Sequence, residues 1–115
     1  KVVIMVDDII DTAGTACSAA KILKEEGAKE IYFFCCHGLF SRNALERIEA
    51  LEFTKVIVTN TIPHSSNVMN NPLIDIIDVS WLCAEAIKRQ LNGISISELY
   101  DETKFNEKLE NIKLL

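Results

Sequence analysis

Four apolar runs punctuate the chain: Val2–Val6, Ile31–Cys35, Val56–Thr59 and Ile74–Asp78. Their hydrophobicity is nearly continuous, which suits strands covered on both faces and therefore a parallel sheet. Between them the period changes. Ala16, Ala19, Ala20 and Leu23 recur at helical spacing and predict a helix that ends with Gly27 at the C′ position. A second helix is expected from Ser41 as N-cap, with Ala44, Leu45, Ile48 and Leu51 turned inward. A third is expected from Ser80, with Ala84, Ile87 and Leu91 inward and Asn92-Gly93 as its stop. Alternating strands and helices predict an α/β fold: an open, mainly parallel sheet with helices on both faces.

The stretch Thr61–Pro72 holds two prolines, three asparagines and two serines, and reads as a long connection over the C-terminal edge of the sheet. After Tyr100, Phe105, Leu109 and Ile112 lie among charged residues at helical spacing and predict a short amphipathic helix. At 115 residues the chain is one compact unit at most. Lys1 runs straight into strand residues, so the chain reads as a piece of a longer polypeptide, one partial domain.

A net charge of −5 argues against a nucleic-acid surface, which normally rests on clustered Lys and Arg. No apolar run approaches the roughly 20 residues a membrane span needs. Cys17, Cys35, Cys36 and Cys83 lie within apolar patterns and form no compact disulfide framework; buried, reduced thiols in a cytoplasmic protein are expected.

The densest chemistry is in the first fifteen residues. A strand runs into Asp7 and Asp8, and then into a small, hydroxyl-rich turn, Thr12-Ala13-Gly14-Thr15, that opens a helix. Main-chain N–H groups and two hydroxyls at a helix N-terminus suit a phosphate. Acids repel phosphate, so Asp7 and Asp8 one step back suit the hydroxyls of an attached sugar. In an open parallel sheet this segment falls at the carboxyl end of a strand, where ligands bind.

VDDIIDTAGT resembles the phosphoribosyl-diphosphate loop of type I phosphoribosyltransferases. His37-Gly38-Leu39-Phe40-Ser41, Val58-Thr59-Asn60-Thr61-Ile62-Pro63, Asp78-Val79-Ser80, Ala84-Glu85-Ala86-Ile87-Lys88-Arg89 and Asn92-Gly93 extend the resemblance, in order, to the ribose-phosphate diphosphokinases, also called phosphoribosyl-diphosphate synthetases. The resemblance covers residues 1–100. It implies a C-terminal domain of the phosphoribosyltransferase type, with residues 101–115 as a tail beyond the family's usual terminus. The implied reaction transfers diphosphate from ATP to ribose 5-phosphate, giving phosphoribosyl diphosphate and AMP for nucleotide biosynthesis. Asp7 and Asp8 would hold the ribose hydroxyls with Mg²⁺ nearby, and Asp11, Thr12, Ala13, Gly14 and Thr15 would wrap the 5-phosphate.

The same resemblance places the catalytic Lys and Arg loop before Lys1 and most ATP-binding residues in a preceding half, so this segment alone is expected to be inactive. It implies a homo-oligomeric parent of the hexameric class. Ser95 and Ser97 would contribute to an allosteric site for ADP and phosphate, although Ser-X-Ser is also an ordinary turn. Arg42 stands where the family commonly has glycine. His37 beside Cys35 and Cys36 suggests zinc only weakly, because adjacent strand residues face opposite ways; a loop near the nucleotide is the expected role. Competing readings are a phosphoribosyltransferase that consumes phosphoribosyl diphosphate and a catalytically silent synthetase-associated subunit. Asp7-Asp8-Ile9-Ile10-Asp11 also fits the DDxxD pattern of helical prenyl-diphosphate synthases, but it follows a β-branched run and precedes a poor helix interior.

Overall fold

The computed structural model describes residues 1–101 and divides into two units, Lys1–Val79 and a second that begins at Ser80. The predicted tail helix around Phe105, Leu109 and Ile112 lies outside the described residues. The first unit is the expected α/β arrangement. Strands β1 (Val2–Ile10), β2 (Glu30–Gly38), β3 (Lys55–Thr59) and β4 (Ile74–Ile77) form one parallel sheet in that order. Helices α1 (Gly14–Glu25), α2 (Ala44–Ala50) and the short α3 (Ser66–Met69) make the connections.

All three crossovers step in the same direction across the sheet. Right-handed connections then deliver every helix to the same face. A single core results, in which Ala16, Cys17, Ala20, Ala44, Ile48 and Val68 meet Ile31, Phe33, Val56, Val58 and Ile74. On the opposite face Ile4, Val6, Phe34 and Ile77 remain exposed, so residues 1–79 supply the expected helical layer on one face only.

Several boundaries differ from those the residue pattern predicts. β1 continues through Asp7 and Asp8 to Ile10, and β2 through His37 to Gly38, because Ile9 pairs with His37 and Ile10 with Gly38. Strand pairing between segments far apart in sequence outweighs the low strand preference of aspartate. His37 and Gly38 are thus strand residues, with the loop starting at Leu39. β4 stops one residue earlier than expected, and the Thr61–Pro72 connection contains α3.

Gly27 takes the predicted role, with φ 88. Ala28 N–H donates to the Leu23 carbonyl at 2.9 Å and Gly27 N–H to Lys24 at 3.0 Å, the paired bonds of a Schellman stop. Ser41 is not the cap of α2. Its N–H donates to the Asp11 carbonyl at 3.0 Å, which ties the chain to the loop after β1 and delays helix entry to Ala44, with Asn43 as N-cap. Ala44 and Ile48 are buried, with Leu45 and Leu51 packed against them, as predicted.

In the second unit, α4 (Ser80–Leu91) begins where expected, and Gly93 and Ile94 N–H groups close it on Gln90 and Arg89. Its predicted inward stripe is not buried: Ala84, Ile87 and Leu91 are exposed. The buried residue of α4 is instead Arg89, engaged by Glu85, Glu98 and the Ser95 carbonyl. Among the described residues, no helix is long and apolar enough to cross a membrane.

Candidate functional site

At the carboxyl end of β1, the segment Ile9–Ala16 and Asp7 line a cavity of about 260 Å³. All of the lining comes from one stretch of chain, because the strand ends against β2 and the chain turns directly into α1. Leu39 N–H donates to the Ile10 carbonyl at 2.8 Å, so the loop after β2 braces this turn from the side.

The turn depends on Ala13, which sits in the left-handed region at φ 60 and is 4% exposed. That conformation costs an alanine about 1–2 kcal/mol, which surrounding contacts must offset. The positive φ thus falls on Ala13 and not on the neighbouring Gly14. A Cβ at Gly14 would meet Arg47 Nη1 at 3.5 Å and Thr12 Oγ1 at 3.7 Å, both ordinary contacts.

As at any helix start, the first N–H groups of α1 lack partners within the helix. Among the described residues, none accepts a hydrogen bond from the N–H of Ala13, Gly14 or Thr15, whereas Cys17 N–H already donates to Ala13 at 2.9 Å. Three open donors beside the hydroxyls of Thr12 and Thr15, which line the cavity, make a cradle for an anion.

The two neighbouring carboxylates separate. Asp7 lines the cavity, and its Oδ1 accepts the Asp8 N–H at 2.9 Å; Asp8 is not part of the lining. Successive strand residues point to opposite faces, and both aspartates lie within β1. They also act on Cys35, whose thiol is raised to about 11 by burial first and then by the charges of Cys36, Asp7 and Asp8. Asp11 is exposed at the cavity rim.

A family model described as the phosphoribosyl synthetase-associated domain matches residues 1–101, the whole of the described chain. The chain belongs to that family. Its fold is also similar to the crystal structure of phosphoribosylpyrophosphate synthetase from Mycobacterium smegmatis, with a TM-score of 0.77 and 33% identity. That match covers 81% of this chain and 31% of the other, so this chain spans about a third of the synthetase's length. Membership of the phosphoribosyl synthetase-associated family agrees with the α/β fold.

Other residues singled out in this family member fall into local networks. His37 Nδ1 lies 2.7 Å from Thr61 Oγ1, and Thr59 Oγ1 donates to the Cys36 carbonyl at 2.7 Å, joining the ends of β2 and β3. Ser95 and Ser97 hydroxyls lie 2.6 Å apart, and Ser97 N–H donates to Ser95 Oγ at 3.2 Å, at the start of a 3-10 turn over Ser97–Tyr100. Of the four cysteines expected to be buried, Cys17 and Cys35 are, while Cys36 and Cys83 are exposed; all four are free thiols. Cys36 alternates along β2 with the buried Cys35 and so presents its side chain to the opposite face of the sheet.

The structure adds one residue that the motif reading missed. Arg47 of α2 donates from Nη1 to the Thr12 carbonyl at 3.0 Å. These residues are 35 positions apart, and no local pattern marks the contact.

Proposed function

We propose that this chain is the sugar-phosphate-binding part of a ribose-phosphate diphosphokinase. Residues 1–100 form its C-terminal phosphoribosyltransferase-like domain and residues 101–115 a tail. The 5-phosphate of ribose 5-phosphate sits on the N–H groups of Ala13, Gly14 and Thr15 and the hydroxyls of Thr12 and Thr15. Asp7 holds the ribose hydroxyls from inside the cavity, with Asp8 beside it on the strand. The observation that carries this reading is the cavity itself, built by one continuous segment from an acid to a set of open donors.

In the full enzyme, the anomeric hydroxyl attacks the β-phosphorus of ATP, the β–α phosphoanhydride bond breaks, and AMP leaves. Such transfers rest on positioning and charge neutralisation. The catalytic cations and most ATP contacts belong to other parts of the polypeptide. Among the described residues no group of three or more acidic, His or Cys side chains could hold a metal. Asp7 and Asp8 nevertheless suit Mg²⁺, which commonly takes one or two carboxylates together with substrate oxygens and water. There the ion would neutralise charge on the diphosphate. The parent would work in the cytoplasm as a homo-oligomer, with Ser95 and Ser97 receiving phosphate or ADP as regulators.

The matched family's description also favours a second reading, in which the chain belongs to a silent subunit associated with the synthetase. Titration calorimetry with ribose 5-phosphate tests the binding claim, with binding expected and its absence overturning it. Diphosphokinase activity of the polypeptide that carries this segment separates the two readings: turnover supports the enzyme, and ribose 5-phosphate binding without turnover supports the subunit.

A further inference from the structure

We infer that Arg47 is the positioning residue of the phosphate cradle, pinning the Thr12–Ala13 peptide and supplying positive charge behind a loop that has none of its own. The inference rests on the ribose 5-phosphate reading above and assigns a role within that same site.

Residues 7–16 carry three aspartates and no lysine or arginine. A phosphate dianion entering this segment meets open N–H donors but also carboxylates, and partial helix charge alone is a weak counterweight. Arg47 reaches the loop from α2: its Nη1 lies 3.0 Å from the Thr12 carbonyl and 3.5 Å from where a Gly14 Cβ would stand. It does not line the cavity, so it acts through the loop and through its field. That field is felt nearby, since Arg47 lowers the Cys17 thiol against the larger upward effect of burial.

The contact also sets geometry. A trans peptide directs its C=O and the following N–H in opposite senses. With the Thr12 carbonyl held by Arg47, the Ala13 N–H is turned to the other side of the loop, away from the guanidinium. The left-handed Ala13 is the place where this peptide would otherwise relax by rotating. One side chain thus holds a donor outward and offsets the charge of the anion it receives.

The test is ribose 5-phosphate binding by the full chain, read by titration calorimetry and by the ³¹P resonance, for wild type, Arg47→Ala, Arg47→Lys and Arg47→Gln. Measurements near pH 5 and near pH 7.5 bracket the second phosphate ionisation at about 6. Arg47→Ala is expected to weaken binding about tenfold or more near pH 7.5 and distinctly less near pH 5, where the ligand carries one charge fewer. Arg47→Lys should recover most of the loss, and Arg47→Gln, which keeps a donor without charge, only a small part. A merely structural role would lower affinity by the same factor at both pH values, and that result overturns the inference. So does an Arg47→Ala affinity within about twofold of a wild type that binds. If wild type binds no ribose 5-phosphate, the reading of the site fails and this inference fails with it.

Discussion

Gly38 and Phe40 occupy each other's space at the end of β2: a Cβ on Gly38 would lie 2.5 Å from Phe40 Cε2 and 3.1 Å from Val58 Cγ1. Phe40 itself is buried at φ 51, with its ring centroid 5.9 Å from that of His64. The glycine in His37-Gly38-Leu39-Phe40 is therefore required for close packing, since its φ is not in the left-handed region. The aromatic ring folds back over the strand it has just left, directly beside the Leu39 contact that braces the cavity loop.

Gly38→Ala should accordingly destabilise the chain by about 1–3 kcal/mol, the usual cost of overpacking a filled core. The midpoint of a urea denaturation series checks this. An unchanged midpoint would mean that Phe40 can leave its site freely.

Asp7 and Asp8 should not be equivalent, because only Asp7 lines the cavity. Asp7→Ala is expected to weaken ribose 5-phosphate binding about tenfold or more, in line with loss of a hydrogen bond to a charged group. Asp8→Ala should have the smaller effect. Calorimetric titration of each variant decides, and equal losses would place both carboxylates on the sugar.

Thiol chemistry offers a check that needs no ligand. Cys36 and Cys83 are exposed, whereas Cys17 and Cys35 are buried and their thiols raised above the usual value, chiefly by burial. Brief alkylation near neutral pH should modify Cys36 and Cys83 first, as peptide mass spectrometry would report. A raised thiol in the folded state stays protonated while the unfolded chain ionises. Its contribution is full below about pH 9 and is lost as pH rises through about 11. Stability should therefore fall over that alkaline window, and Cys35→Ala should make the fall shallower.

Arg89 should order the segment after α4. Its Nε donates to Glu85 at 2.9 Å, and its Nη1 donates to the Ser95 carbonyl at 2.8 Å and to Glu98 at 3.1 Å. Both carboxylates, Glu98 first, raise the guanidinium further above its ordinary value, so it stays charged throughout the accessible pH range. Arg89→Ala should speed amide hydrogen exchange at Leu99, whose N–H closes the 3-10 turn on Ile96 at 2.9 Å. Lysine should restore little, because it lacks the fork that reaches both directions. Unaltered exchange in Arg89→Ala would show that the turn holds without it.

The residue pattern alone determined the four strands, the first helix with its Gly27 stop, and the likeness of Asp7–Thr15 to a sugar-phosphate loop. These are local properties: apolar runs, a 3.6-residue period, and small residues next to hydroxyls and acids. Only the tertiary structure decided the rest. Pairing with β2 drew β1 through both aspartates and so sent them to opposite faces; contact with Asp11 removed Ser41 from its predicted cap; and three crossovers in one direction put every helix of the first unit on one face. Arg47 reached Thr12 for the same reason, since a contact between residues far apart in sequence depends on how whole elements pack, and neither period nor spacing carries that information.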